Sequence, residues 1–185
     1  MTHHTTTWRT GMSVRSMART AIFTALLAVM SQIAIPLPMV PINLGLLAVY
    51  LAALLLTRRE ALWSVCLFLM LGAIGVPVFA GFRGGPEALV GKTGGYLLGY
   101  VLTAGVVASL APRAVSAWQR AAVCALGLVC CLVPGTLWFM LLTGLSLPVS
   151  LGYTVWPFLP GDAIKIAIAA MAAPQLKSAL RRAGG

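Results

Sequence analysis

Long apolar runs, separated by short polar or proline- and glycine-containing breaks, constrain this chain more than any other feature. Each run is a candidate for a helix that crosses the hydrocarbon core of a bilayer, which takes roughly 20 apolar residues. Only 9% of the residues are charged and 60% are hydrophobic, whereas soluble domains carry about 25% charged residues. A soluble surface cannot be covered from this composition, so the sequence predicts an all-α integral membrane protein.

The runs predict a bundle of six transmembrane helices within residues 15–182. A disordered cytoplasmic tail is predicted at 1–14 and a short C-terminal tail at 183–185. The predicted spans are residues 18–36, 42–57, 61–79, 94–111, 121–143 and about 153–176. The second run is short for a span, and the sixth contains two ionisable residues.

The charge imbalance assigns the two sides of the membrane. The chain has 13 Lys and Arg residues against 3 acidic ones, a ratio that in a soluble protein would suggest nucleic acid. In membrane proteins the cytoplasmic loops collect Lys and Arg. With the N-terminus inside, ten of the 13 basic residues fall on the same side, and the outer loops receive only Arg83 and Lys92. We therefore predict that both termini are cytoplasmic and that no nucleic acid is bound.

An ionisable pair lies within the sixth span. Asp162 and Lys165 are three residues apart, so they face the same side of a helix, and an ionisable residue inside the membrane costs roughly 2.5–3.5 kcal/mol on insertion scales. The preceding Pro160-Gly161 resembles a helix start, which puts Asp162 near the cap or first turn. An internal ion pair is one interpretation. A polar ligand site facing the bundle interior is favoured, because interrupted membrane helices often carry such sites.

The connection between the third and fourth spans is the only outer loop with charges: Arg83, Glu87 and Lys92. It is either a flexible, solvated connection or a cap over an outward-facing pocket. The cap is favoured, with Arg83 or Lys92 holding an anionic group. Nucleotide binding is rejected here, because Pro86 stands where a phosphate-binding G-x-x-x-x-G-K-[ST] loop requires its first glycine.

Other candidate features are weaker. Ala21 and Ala25 lie four residues apart on the first helix; such spacing permits close helix packing, either within the bundle or against a partner subunit. Phe79 and Tyr96 lie near predicted outer helix ends, where they belong to an interfacial belt or line a pocket.

Enzymatic and metal chemistry are not supported by the residue inventory. The two histidines, His3 and His4, lie in the predicted tail, so a metal site is not expected. The four cysteines fall in apolar runs without CxxC spacing and are read as small buried hydrophobes. A catalytic site within the spans would lack both a histidine and a second buried acid.

Three segments in this order resemble the BioY family, the biotin-binding S-components of energy-coupling-factor (ECF) vitamin transporters. They are GAIGVPVFAGFRGG at 72–85, TGGYLLG at 93–99 and PFLPGDAIK at 157–165; PLPMVP at 36–41 also fits. The resemblance implies a six-helix bundle with an outward pocket, in which Asp162 and Lys165 hold the ureido end of biotin and the connection with Arg83 closes over it. It also implies that Ala21 and Ala25 dock a transmembrane coupling subunit, with two ATPase subunits supplying the energy.

The sequence departs from the family on the second helix, where Asn43 and Gly45 stand in place of the usual Thr and Gln. Asn43 retains the capacity to bind a ligand or the closing loop. The alternatives are an S-component for another vitamin such as lipoate, riboflavin or thiamine, and a facilitator that works without the ECF module. Biotin is expected as the transported ligand, with no cofactor, in the plasma membrane. The residues predicted to contact it are Asp162, Lys165, Arg83, Asn43, Tyr96, Lys92 and Phe79.

Overall fold

The structure, a computed structural model, describes residues 12–37 and 39–182. Its described residues form eight α-helices and a two-stranded hairpin. The helices are α1 Val14–Gln32, α2 Gly45–Leu55, α3 Arg58–Ala73, α4 Pro86–Val90, α5 Gly94–Leu110, α6 Ala117–Thr143, α7 Leu147–Thr154 and α8 Leu159–Arg182. Strands β1 Ala34–Ile35 and β2 Ile42–Asn43 pair antiparallel. Most of the predicted tails, with His3 and His4, lie outside the described residues, although α1 already begins at Val14.

Four of these helices, α1, α5, α6 and α8, are long and apolar enough to cross a membrane. The chain is therefore an all-helical, multi-pass membrane protein. Helices α2, with 11 residues, and α3, with 16, are shorter. The predicted count of six spans depends on these two helices.

The extents of three predicted spans are wrong. The first, predicted at 18–36, is Val14–Gln32, and residues 34–35 instead form strand β1. The third, predicted at 61–79, is Arg58–Ala73: it begins earlier because Thr57 and Glu60 form a reciprocal capping box, and its end is followed by Gly75 at φ 99°. The sixth, predicted as one span at about 153–176, is divided. The short helix α7 ends at Thr154 and α8 begins at Leu159, with Asp162 in its first turn as predicted.

Helix α2 lies at the centre of the bundle. Nine of its 11 residues are buried, and it packs against α1, α3, α5 and α8. A helix that is hydrophobic on every side is suited either to a protein core or to a membrane span, and the contacts of α2 with four neighbouring helices place it in the core of this bundle. Helix α5 packs closely on α6, because a Cβ on Gly99 would lie only 2.9 Å from Cα of Cys131.

The two ends of the bundle differ in charge. Basic residues collect at the end where α1, α3 and α6 begin and where α5 and α8 finish: Arg15, Arg19, Arg58, Arg59, Arg113, Arg120, Lys177 and Arg182. The other end gathers the β-hairpin, the connection 74–93 with its short helix α4, helix α7 and the start of α8. This second end carries the buried Asp162 and Lys165.

Candidate ligand site

A cavity of about 70 Å³ lies between the hairpin, the connection 74–93 and helices α2, α5, α6 and α8. One water needs roughly 10–15 Å³ of such space, so the cavity exceeds a structural water site. Its walls are largely apolar: Val40, Pro41, Leu46, Ala80, Ala88, Leu97, Leu132 and Phe158. A few polar groups in apolar walls are typical of sites that orient small ligands.

The ion pair of Asp162 and Lys165 forms the charged part of the wall. The Lys165 ammonium donates to Oδ1 of Asp162 at 2.8 Å, and the side chains of Lys165 and Asp162 are only 6% and 3% exposed, respectively. Asp162 lies in the first turn of α8, where the positive end of the helix dipole favours a carboxylate. Within the described part of the chain neither side chain makes another hydrogen bond, so the second carboxylate oxygen and two ammonium N–H groups are left for a ligand.

The loop after α3 brings Phe79 and Arg83 to the cavity. Their backbones pair across a tight turn, with N···O distances of 2.9 and 3.2 Å. The turn requires Phe82 at φ 56°, a left-handed conformation uncommon outside glycine. Phe79 is 4% exposed and packs edge-on against Phe68, with ring centroids 5.3 Å apart. The exposed Arg83 donates from Nε to the carbonyl of Ala80 at 3.3 Å.

Gln32, at the end of α1, holds this loop in place. Its Nε2 donates to the carbonyls of Pro77 and Phe79, both at 3.2 Å. Its Oε1 accepts the N–H of Phe82 at 3.0 Å. One amide side chain thus bonds three backbone groups of the loop that forms one wall of the cavity.

Two tyrosines of α5 complete the polar lining. The hydroxyl of Tyr100 donates to Oδ1 of Asn43 at 3.2 Å. The hydroxyls of Tyr96 and Thr136 are 3.2 Å apart. Both tyrosines line the cavity, and they lie one helical turn apart on the same face of α5.

The structure brings six of the seven predicted ligand residues to this cavity: Asp162, Lys165, Arg83, Asn43, Tyr96 and Phe79. Lys92 does not line it; this exposed residue places its ammonium 3.7 Å from Sδ of Met39. Ala21 and Ala25 are exposed on α1. The ligand contacts and the docking contact remain predictions.

Tyr100, Cys131 and Gln32 are among the residues of the site that the sequence does not predict. Tyr100 and Cys131 line the cavity, and Gln32 holds its loop. The spacing of four residues from Tyr96 was an available signal for Tyr100, since i and i+4 share a helix face. For Cys131 the sequence predicts only a small buried hydrophobe. A glutamine at a helix end carries no comparable signal, because its partners are backbone groups about fifty residues away.

These features define a class: a multi-pass membrane protein with an apolar-walled cavity and a buried ion pair at one end of the bundle. Groups of His, Cys, Asp and Glu that could hold a metal are absent from the described residues. Within this class the chain belongs to the BioY family, whose sequence profile matches residues 2–182. The resemblance of the three segments is confirmed.

Named relatives and a solved structure support this assignment. The chain is 40% identical to "Biotin transporter BioY" of Thermotoga maritima, covering 89% of this chain and 96% of the relative. It is 36% identical to "Biotin transporter BioY2" of Lactococcus lactis subsp. cremoris, covering 77% and 80%. The fold matches the crystal structure of the S-component for biotin from an ECF-type ABC transporter, with a TM-score of 0.84, 25% identity and coverage of 91% and 95%. The chain is thus a membrane transporter and not an enzyme.

Proposed function

We propose that this protein captures biotin for uptake, as the substrate-binding S-component of an ECF transporter. The observation that carries the proposal is the Asp162–Lys165 pair, buried in the wall of an apolar cavity in a chain of the BioY family. The relatives' names and the solved S-component for biotin support the same substrate. Biotin is the transported ligand, and no cofactor is required.

The chemistry of biotin suits the residues of the cavity. Its ureido group has two N–H donors and one carbonyl acceptor, and its side chain ends in a carboxylate. The free oxygen of Asp162 accepts a ureido N–H, and the ammonium of Lys165 donates to the carbonyl. Arg83, at the cavity and exposed, meets the carboxylate in preference to Lys92. Phe79 and Tyr96 lie against the apolar part of the ligand.

Ligand entry requires the loop after α3 to move. The present cavity of about 70 Å³ is well below the roughly 300–1,000 Å³ of pockets that hold small molecules. The loop that carries Phe79 and Arg83 connects to the bundle through the hydrogen bonds of Gln32. We infer that this loop opens to admit biotin and closes over it.

The chain crosses the plasma membrane six times, with both termini in the cytoplasm. Helices α2 and α3 serve as the two shorter spans. Helix α2 is buried within the bundle. Helix α3 lies beside α1, and hydrogen bonds made by the hydroxyls of Thr24 and Ser64 connect the two helices. The basic end faces the cytoplasm under the positive-inside rule. The cavity then opens toward the outside.

Energy comes from partner proteins. A transmembrane coupling subunit docks on the face of α1 that carries Ala21 and Ala25, both exposed, since small residues let membrane helices approach closely. Two ATPase subunits bind the coupling subunit on the cytoplasmic side. Lipid surrounds the remaining apolar surface.

A binding titration on the purified protein tests the proposal. Biotin should bind at micromolar concentration or below, and lipoate, riboflavin and thiamine should not compete. Binding of one of these in place of biotin refutes the substrate assignment. Copurification of a coupling subunit and ATPases supports the S-component role, whereas biotin uptake in cells that lack them indicates a facilitator.

A further inference from the structure

A polar cluster beside the cavity fixes the orientation of the Asn43 side chain. Oδ1 of Asn43 accepts the backbone N–H of Gly45 at 2.8 Å and the hydroxyl of Tyr100 at 3.2 Å. Both donors belong to helices of the bundle, Gly45 to the start of α2 and Tyr100 to α5. Asn43 itself ends strand β2 and lines the cavity.

The two bonds determine which group Asn43 offers to a ligand. Only the carbonyl oxygen of a carboxamide accepts hydrogen bonds, so two donors on one atom identify it as Oδ1 and fix the amide orientation. Nδ2 makes no hydrogen bond with the described part of the chain. The single hydroxyl proton of Tyr100 is used on Asn43. Asn43 therefore presents N–H donors to the cavity and no free acceptor.

Gly45 makes this arrangement possible. A Cβ at position 45 would lie 3.0 Å from both Oδ1 of Asn43 and the hydroxyl oxygen of Tyr100, and 2.7 Å from Oγ of Ser31. Any larger residue would therefore press into the contact between Asn43 and Tyr100. Glycine at position 45 thus leaves the space in which Asn43 and Tyr100 meet.

We propose that Asn43 is a specificity-determining donor for a carbonyl oxygen of the ligand, and that Tyr100 is a positioning residue that acts through Asn43. The inference rests on the proposed function, because the ureido carbonyl is the strong acceptor on the polar head of biotin. Asn43 and Lys165 donate to that carbonyl, while Asp162 accepts a ureido N–H. The cavity then selects a head group with one acceptor flanked by donors.

A comparison of biotin with 2-iminobiotin tests this polarity. At neutral pH the cyclic guanidinium of 2-iminobiotin carries N–H donors where biotin has its carbonyl. The wild-type protein should prefer biotin. Asn43→Asp replaces the donor by an acceptor and should shift the ratio of affinities toward 2-iminobiotin by at least tenfold. Because the ratio is measured within one variant, a lower folded fraction does not affect it.

The role of Tyr100 is tested by a double-mutant cycle. Tyr100→Phe should weaken biotin binding about three- to tenfold, the range for loss of one hydrogen bond of about 1 kcal/mol. In the Asn43→Ala background, Tyr100→Phe should weaken biotin binding no further. Tyr153→Phe, at an exposed position of α7, is the matched control and should bind as wild type.

The outcomes separate the inference from the function on which it rests. If wild type binds biotin but Asn43→Asp leaves the preference unchanged, the donor assignment is wrong and the proposed function stands. If the effects of Asn43→Ala and Tyr100→Phe multiply, Tyr100 does not act through Asn43. If wild type fails to bind biotin, the proposed function and this inference are both overturned.

Discussion

At the scale of single residues, Asp162 and Lys165 have both a structural and a ligand-binding consequence. A buried charge that loses its partner destabilises a protein by about 3–5 kcal/mol, whereas removing both charges is often neutral. Binding and folding should therefore respond differently to single and double changes. This difference distinguishes a ligand site from an ion pair that only neutralises itself.

We expect Asp162→Asn and Lys165→Met each to lower the thermal stability and to abolish biotin binding. The double variant Asp162→Asn/Lys165→Met should recover most of the stability, because neither charge is left unpaired, but it should not recover binding. Thermal unfolding and biotin titration of the four proteins check this. A stable double variant with wild-type affinity would show that the pair is structural only.

Ser31 is a buried residue whose hydroxyl has no hydrogen-bond partner in the described part of the chain. An unsatisfied buried hydroxyl is unfavourable, so Ser31→Ala should leave the free energy of unfolding unchanged or raise it by about 1 kcal/mol.

Ser64→Ala is the matched control for Ser31→Ala. Ser64 is also buried, and its hydroxyl donates to the carbonyls of Thr20 and Glu60 at 3.2 and 2.9 Å, so its loss should cost about 1 kcal/mol. Equal destabilisation by both changes contradicts the prediction.

At the scale of elements, the loop after α3 depends on contacts with α1. Gln32→Leu removes three hydrogen bonds to that loop while keeping a side chain of similar size. The closed loop should open more often, so bound biotin should dissociate about tenfold faster or more, with a smaller change in the association rate. Dissociation of radiolabelled biotin measures this, and Gln175→Leu, at an exposed position of α8, serves as control. An unchanged dissociation rate excludes Gln32 as a gate contact.

An element can be predicted from the sequence when the pattern that specifies it lies within its own residues. The extent of α5 was predicted within one residue, because a long apolar run ends at Pro112. Helix α7 was not predicted, since its eight residues are as apolar as the spans beside them. The hairpin of β1 and β2 was missed because two-residue strands have no readable alternation. Tertiary contacts, not local sequence, fix these short pieces.

The candidate site was predictable where its residues are unusual for a membrane. The charges at 162 and 165 and those of the connection 74–93 are conspicuous in an apolar sequence, and most of that set lines the cavity. Only its charge makes Lys92 a predicted ligand residue, and its position outside the lining follows the short helix α4 and the turn after it. Tyr100 was missed because an aromatic in an apolar helix is ordinary until its partner, Asn43, is known.

At the scale of the whole molecule, the sites proposed for ligand capture and for energy coupling lie on different surfaces. The cavity lies at one end of the bundle, and the basic residues lie at the other. Helix α1 extends between the two ends. Its C-terminal Gln32 contacts the cavity loop, and its exposed face carries Ala21 and Ala25. One helix thus contacts the ligand-binding end and presents the proposed docking surface.

This separation predicts that docking and binding can be uncoupled by mutation. Ala21→Leu/Ala25→Leu adds bulk to an exposed face of α1 that is not part of the cavity lining. We expect the purified variant to bind biotin as wild type does, but to lose copurification of the coupling subunit and biotin uptake in cells. Small residues allow a close approach of helices that leucine prevents.

Ala125→Leu, at an exposed position of α6, is the matched control and should retain both copurification of the coupling subunit and biotin uptake. Normal uptake by the α1 variant would place the docking surface on another helix, and lost biotin binding would show that the two surfaces are not independent.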